Sequence, residues 1–233
     1  MNSSILLTCE HGGNRVPKKW QHYFAGQKRL LHTHRGWDYG ALIVAKLLSK
    51  NLKAKLLYSE ITRLLVDLNR SLGNPTLHSA YLKPLSADDL EQILKLHYHP
   101  YRKQVLNEVR RILARKNKAA HFSIHSFTPV FRGERRHVQI GILFDPASPL
   151  ESRTAHLLKK NLQVSFPRTR IRYNDPYDGR GDGQTTSLRS RFSQKIYSGI
   201  EIEMNQAWLK HLIARGGLDN FADQLATAMV ASV

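Results

Sequence analysis

Residues 5–14, ILLTCEHGGN, give the clearest indication of how this chain folds. The apolar start of this stretch is typical of a buried β-strand, and the polar, glycine-rich end predicts a loop. A second segment of this kind, SIHSF at residues 123–127, follows another short strand-like run. In open α/β sheets, ligands and reacting groups collect just beyond the carboxyl ends of strands. We therefore expect His11 and His125 to lie in two such loops, close enough to share one metal ion.

Strand and helix signals alternate along the rest of the chain. Strands are predicted near residues 54–58, 119–124, 137–144, 169–173 and 199–204, and residues 63–70 begin strand-like and end in a polar turn. Helices are predicted at about 38–50, 86–118 with a kink or division at Pro100, 149–163, and from 205 onward. This alternation predicts an α/β fold: a three-layer α/β/α sandwich with a mixed, mainly parallel sheet. We expect a single domain over residues 1–233.

Composition limits the class of protein. A chain of 233 residues with 41% hydrophobic residues can bury a substantial core, which argues against disorder. No apolar run approaches the ~20 residues of a membrane helix, and the first residues lack the pattern of a secretory signal. The single cysteine, Cys9, excludes an internal disulfide and fits a reducing compartment. We expect a cytoplasmic protein without a membrane partner.

The charge is strongly basic, with 36 Lys and Arg residues against 18 Asp and Glu residues and a formal net charge of +18. Such a field concentrates anions, either small carboxylates or nucleic-acid phosphates. Solvated helix faces such as residues 103–118 account equally well for much of the excess. Nucleic-acid binding is the less favoured interpretation, because the sequence shows no such module and its basic residues are scattered.

Two histidines need a third partner to make a catalytic zinc site, which usually takes three protein ligands and leaves one position for water. Asp38, at the start of the first predicted long helix, is one candidate, and Asp67 and Glu10 are the others. The alternatives are structural: His11 and His125 as hydrogen-bonded loop residues, and Asp38 as an ordinary helix N-cap.

Two acidic residues alternate with isoleucines in the last predicted strand. Glu201 and Glu203 therefore share one face of it. Two buried carboxylates on one face are costly unless they are paired or belong to a site. Glu203, nearer the carboxyl end, is best placed to act as a general base toward a metal-activated water. The alternative is an edge strand whose acids face solvent or arginines.

Three residues of the segment 63–70 are candidates for binding a substrate carboxylate. Arg70 offers a guanidinium fork, and Asn69 and Arg63 lie in the same predicted strand–turn unit. Surface salt bridges explain these residues equally well.

Six blocks of the chain, taken in order, resemble the N-formylglutamate amidohydrolase family. The blocks are residues 10–17, 36–41, 63–70, 124–129, 174–177 and 201–203. Each block is weakly specific alone, but the series covers nearly the whole chain. The family is similar in fold and chemistry to the zinc carboxypeptidases and related amidases.

This resemblance implies that His11 and His125 are metal ligands. The carboxypeptidases place the third ligand, an acid, three residues after the first histidine, where this chain has Asn14. Zinc muramoyl-amidases of similar fold place it at the start of the following helix, which favours Asp38. Glu203 would correspond to the catalytic glutamate on a late strand.

In the same way, Asn69 and Arg70 match the Asn-Arg pair that holds a substrate carboxylate in carboxypeptidases. The implied function is zinc-dependent hydrolysis of the amide bond of a small anionic N-acyl amino acid, similar to N-formylglutamate, or of a small peptide. A catalytically inactive binding domain on the same fold and a basic nucleic-acid-binding protein are the alternatives.

Overall fold

The computed structural model describes residues 4–233. Its strands are β1 (Ile5–Cys9), β2 (Lys55–Tyr58), β3 (Ala119–Phe127), β4 (Val130–Phe131), β5 (Glu134–Arg135), β6 (Ile140–Leu143), β7 (Ile171–Tyr173) and β8 (Tyr197–Asn205). Its α-helices are α1 (Lys28–Leu31), α2 (Ala41–Leu52), α3 (Ala87–Ile93), α4 (His99–Lys116), α5 (Pro149–Ser165), α6 (Gln184–Arg189), α7 (Gln206–Ala214) and α8 (Leu218–Val230).

Six of these strands form one sheet, in the order β2-β1-β3-β8-β6-β7. The strands β2, β1, β3 and β8 run parallel to one another, whereas β6 pairs antiparallel with β8 and parallel with β7. β4 and β5 form a separate hairpin. The predicted α/β fold with a mixed, mainly parallel sheet is confirmed, and β8 is a central strand.

Apolar side chains pack on both faces of the sheet. On one face, Phe122 and Ile200 belong to a buried cluster that includes residues of α2, α5 and α8. On the other face, Leu6 belongs to a second cluster with residues of α4. The sheet therefore lies between two helical layers, as the sequence predicts. Among residues 4–233, no helix is long and apolar enough to cross a membrane.

The expectation that residues 63–70 begin as a strand is wrong, because this segment is a series of turns. The Thr62 hydroxyl accepts a hydrogen bond from the Leu64 N–H and donates one to the Gly36 carbonyl. Leu64, Leu65 and Val66 are buried in the cluster beside α4. The apolar run thus reflects the burial of a turn, which periodicity alone does not distinguish from a short strand.

The long helical stretch is divided close to the predicted position. α3 ends at Ile93, a π-helical turn spans Leu94–Tyr98, and α4 begins at His99. Pro100 is the second residue of α4, and the π-helical turn that interrupts the α-helical hydrogen-bond pattern lies directly before it. The short helix α6, between β7 and β8, is an element that the sequence did not predict.

Candidate active site

The two histidines meet on one face of the sheet, although only one of them lies in a loop. His11 follows β1 by two residues, as expected, but His125 lies inside β3. β3 extends to Phe127 because β8 pairs with it along its whole length. The prediction that His125 occupies a loop after residue 124 is therefore wrong. The register pairs His125 with Glu203, so the two side chains project from adjacent strands onto the same face.

Asp38 brings a carboxylate to both imidazoles. Its Oδ2 lies 2.9 Å from His125 Nδ1 and 3.4 Å from His11 Nδ1. The Asp38 N–H donates to the His11 carbonyl, which fixes the segment before α2 against the loop after β1. Asp38 is not the N-cap of α2, since Gly40 holds that position. Ligand atoms of His11, Asp38 and His125 lie within 4.8 Å of one another.

The outer nitrogens of both imidazoles face other acceptors. His11 Nε2 lies 2.7 Å from Asp67 Oδ1, and His125 Nε2 lies 2.8 Å from Ser123 Oγ and 3.2 Å from Glu10 Oε2. Asp67 and Glu10, the other candidates for a third ligand, thus contact the histidines from the side away from Asp38.

The donor set fits a divalent metal. Because carboxylates only accept hydrogen bonds, the Nε2 of a neutral His11 must carry the proton that Asp67 accepts, which leaves Nδ1 with a lone pair. For His125 the same argument applies through Glu10. The two Nδ1 lone pairs and a carboxylate oxygen of Asp38 converge. These electron-rich atoms repel one another unless a proton or a cation lies between them. Two histidines and one acid are a usual ligand set of catalytic zinc.

Burial and charge shift the titration of these groups. Burial disfavours the charged form of Asp38, but His11 and His125 outweigh it and hold the pKa of this carboxyl well below its usual range. Burial alone would lower the pKa of His125, but its hydrogen bonds to Asp38 and Glu10 raise it well above the ordinary value. The acidic surroundings therefore favour positive charge at this position.

Glu203 stands beside this cluster with one oxygen free of protein partners. Burial, together with the negative charges of Asp38 and Glu201, raises the pKa of Glu203 against the opposing charge of His125. Within residues 4–233 its Oε2 is buried and has no hydrogen-bond partner. Glu201 differs, because its Oε1 accepts a hydrogen bond of 2.6 Å from Thr185. The edge-strand alternative for the two acids is wrong, since β8 is central and both residues are at most 9% exposed.

On two sides of the site, a glycine lets a neighbouring backbone segment pack closely against the chain. A Cβ at Gly141, the β6 partner of Glu203, would lie 2.1 Å from the Asp175 carbonyl oxygen. A Cβ at Gly13 would lie 2.6 Å from the Glu60 carbonyl oxygen. The φ angles of Gly12 and Gly13 lie outside the left-handed region, so this pair allows close packing and does not adopt a backbone conformation that requires glycine.

The three predicted substrate-binding residues lie next to the cluster. Arg63 donates from Nε and Nη2 to Asp67 Oδ2, at 3.1 and 2.7 Å, and its Nη1 lies 3.6 Å from Asp38 Oδ1. Asn69 Oδ1 accepts a hydrogen bond of 2.6 Å from the Gln184 N–H. Arg70 Nη1 donates to the carbonyls of Asn69 and Asp182.

A cleft of about 720 Å³ contains all seven predicted site residues. We call the buried titratable side chains of its lining the floor; these are His11, Asp38, His125, Glu201 and Glu203. We call its outer part the rim, which includes Arg70, Asn74, Tyr177, Asp178 and Asp182. Its volume falls within the range of about 300–1,000 Å³ that holds drug-sized ligands.

Asn14, at the position of the carboxypeptidase acid, takes no part in the cleft, and its amide lies 3.2 Å from His32 Nδ1.

Sequence reasoning missed several residues around the cleft. Ser123 shares a strand face with His125, two residues away, and this period-2 spacing could have identified it. No local pattern identified Asp182, whose Oδ2 accepts hydrogen bonds from the Ser71 N–H and from Asn74 Nδ2. These contacts join two segments that are more than 100 residues apart in the chain.

The comparisons with known proteins agree with this fold. The gene product Atu2144 from Agrobacterium tumefaciens is 29% identical, with a TM-score of 0.81 over 98% of this chain and 90% of that one. The N-formylglutamate amidohydrolase from Ralstonia eutropha JMP134 is 14% identical and shares the fold, with a TM-score of 0.71 over 99% and 95% of the two chains. No curated protein matches the chain. Residues 3–209 match the family described as N-formylglutamate amidohydrolase. The chain therefore belongs to the N-formylglutamate amidohydrolase family.

Proposed function

We propose that the protein is a zinc-dependent amidohydrolase that cleaves the amide bond of a small anionic N-acyl amino acid, similar to N-formylglutamate, or of a small peptide. Family membership supports amidohydrolase activity in general. The observation that carries the metal dependence is the convergence of His11, Asp38 and His125 within 4.8 Å on the floor of the cleft.

His11, Asp38 and His125 would hold the zinc. When bound, zinc lowers the pKa of a water molecule and polarises a carbonyl oxygen. Glu203 is the proposed general base, because its Oε2 is buried without a protein partner and its pKa is raised. It would take a proton from the attacking water and deliver a proton to the leaving amine. The positive charge of a bound cation would oppose the raised pKa and favour the carboxylate form that accepts this proton.

Arg70 and Asn69 are the proposed anchors for the substrate carboxylate. Arg70 lies at the rim, and its Nη1 is bonded to neutral carbonyl groups. A guanidinium can bind a carboxylate through two parallel hydrogen bonds, which would orient the amide toward the floor. Arg63 lines the same cleft, and because Nε and Nη2 are bonded to Asp67, Nη1 is the atom through which it would assist.

The first test combines metal analysis with turnover of N-acyl amino acids. We expect about one zinc per chain, loss of turnover on chelation, and recovery when zinc is added back. The variant His125→Ala should lose the metal. A matched control is His121→Gln: His121 is also buried in β3, but its nitrogens bond Thr8 and Tyr197, so this variant should keep the metal.

Full zinc occupancy in His125→Ala would contradict the metal assignment. Zinc binding without turnover of any N-acyl amino acid or small peptide would favour an inactive binding domain. Affinity for RNA or DNA that falls steeply with salt would favour the nucleic-acid alternative.

A further inference from the structure

Each proposed metal-binding imidazole has a buried carboxylate at its outer nitrogen. We propose that Glu10 and Asp67 are positioning residues, which orient His125 and His11 and fix the tautomer that directs Nδ1 toward Asp38. This inference rests on the proposed function. It concerns the residues that contact Nε2 of each imidazole, not the proposed metal ligands themselves.

Glu10 is held from several sides. It directly follows β1 and is 1% exposed. Its Oε2 accepts a hydrogen bond of 2.6 Å from Ser123 Oγ and lies 3.2 Å from His125 Nε2, while Tyr101 donates its hydroxyl to Oε1 at 3.1 Å. Because Ser123 gives its proton to Glu10, its oxygen accepts from His125 Nε2 at 2.8 Å. The N–H of His125 is thus shared between Ser123 and Glu10.

Asp67 is fixed in a different way. It is 4% exposed, and its Oδ1 lies 2.7 Å from His11 Nε2 and accepts from the Asn69 N–H at 2.9 Å. Its Oδ2 accepts from Nε and Nη2 of Arg63. Arg63 therefore orients Asp67, which in turn orients His11.

These contacts have a direct chemical consequence. A carboxylate that accepts the Nε2 proton favours the tautomer whose Nδ1 carries the lone pair, and it increases the basicity of that ligand atom. It also fixes the plane of the ring, so that the ligand does not have to be ordered when the metal binds. Loss of such a partner typically weakens metal binding about 10- to 100-fold.

A buried carboxylate can also stabilise the fold without any role in metal binding. Glu151 is such a residue and provides the matched control. It is 1% exposed, like Glu10, and its Oε1 accepts hydrogen bonds from Arg189 Nε and the Gly199 N–H. Its Oε2 accepts from the Asp145 N–H. It therefore has the burial and hydrogen bonding of Glu10, but within residues 4–233 its carboxylate has no histidine among its hydrogen-bond partners.

The test measures zinc affinity of the full-length protein by competition with a chromogenic chelator, together with thermal unfolding of each variant. Glu10→Gln and Asp67→Asn should bind zinc about 10- to 100-fold more weakly than the wild type at temperatures where they are folded. Glu151→Gln should unfold at a lower temperature and bind zinc with unchanged affinity. Cobalt substitution adds a spectroscopic readout, since the visible absorption of Co²⁺ should change in the first two variants only.

The outcomes separate this proposal from the proposed function. If the wild type does not bind zinc, or if His125→Ala binds it normally, the proposed function itself fails. If those two behave as expected while Glu10→Gln or Asp67→Asn keeps wild-type zinc affinity, the positioning role of that residue is overturned. Should Glu10→Gln not fold, Glu10→Asp replaces it: the shorter side chain withdraws the carboxylate from His125, so weaker zinc binding is expected and wild-type affinity again contradicts the proposal.

Discussion

The floor and the rim of the cleft are built in different ways. The floor side chains are at most 9% exposed, and His125, Glu201 and Glu203 project from the paired central strands β3 and β8. The rim comes from irregular segments around residues 70–76 and 176–182, joined by hydrogen bonds to Asp182. Strand register therefore fixes the three floor residues of β3 and β8, and buried hydrogen bonds hold His11 and Asp38 against them, whereas hydrogen bonds between loops fix the rim.

This difference assigns separate tasks to the two parts. A floor locked by register and burial can hold reacting groups at fixed distances, which metal binding and proton transfer require. A rim of polar loop residues can recognise a substrate and can vary without disturbing the chemistry. Substitutions in the floor should therefore change kcat or metal content, whereas those in the rim should change KM.

The largest effect is expected in the floor, at Glu203. Glu203→Gln removes the proposed base but keeps the size of the side chain. We expect kcat to fall on the order of 10²- to 10⁴-fold, with zinc content unchanged. Single-turnover kinetics and metal analysis check this prediction. Turnover at the wild-type rate would remove Glu203 from its proposed role.

The next largest effect is expected at the rim, at Arg70. Arg70→Ala removes hydrogen bonds to a charged group, each worth roughly 1.5–3 kcal/mol, so KM for anionic N-acyl amino acids should rise about 10- to 100-fold. A neutral N-acyl amide serves as the control, and its KM should change little. Equal losses for both substrates would contradict the carboxylate anchor.

A smaller effect is expected where the two rim segments meet. Asp182→Ala removes the acceptor for the Ser71 N–H and Asn74 Nδ2, so KM should rise a few-fold while kcat and zinc content stay constant. Asp178→Ala is the matched control, because Asp178 also lies at the rim but, in the part of the chain that the structure describes, its carboxylate accepts hydrogen bonds only from its neighbour Arg180. A fall in zinc content in Asp182→Ala would show that rim and floor are not independent.

The smallest effect concerns the field around the whole cleft. Six of the 18 acidic residues are buried, whereas none of the 36 lysines and arginines is buried in residues 4–233. The exposed surface is thus even more cationic than the net charge suggests. For an anionic substrate, kcat/KM should fall a few-fold as salt rises, and for a neutral amide it should stay constant. If kcat/KM fell more with salt for the neutral amide than for the anionic substrate, that result would argue against electrostatic recruitment.

The sequence predicted the floor better than the rim. Alternation of Glu201 and Glu203 with isoleucines fixed their common face, and the structure places that face beside His11 and His125. The contact between Asp182 and Ser71 has no sequence pattern of its own, since both residues lie in loops. Strand periodicity is a local property, whereas the meeting of two loops depends on everything folded between them.

The strand signals, the shared face of the two late glutamates and the family resemblance followed from the sequence alone. Tertiary structure decided that β3 continues through His125, that β6 runs antiparallel to β8, and that residues 64–66 are buried in a turn. It also decided that Asp38 faces both imidazoles while Glu10 and Asp67 lie behind them. The physical reason is that residue type and spacing determine which groups are buried and on which face. The partner of each buried group depends on strand order and chain crossing, which bring together residues far apart in the chain.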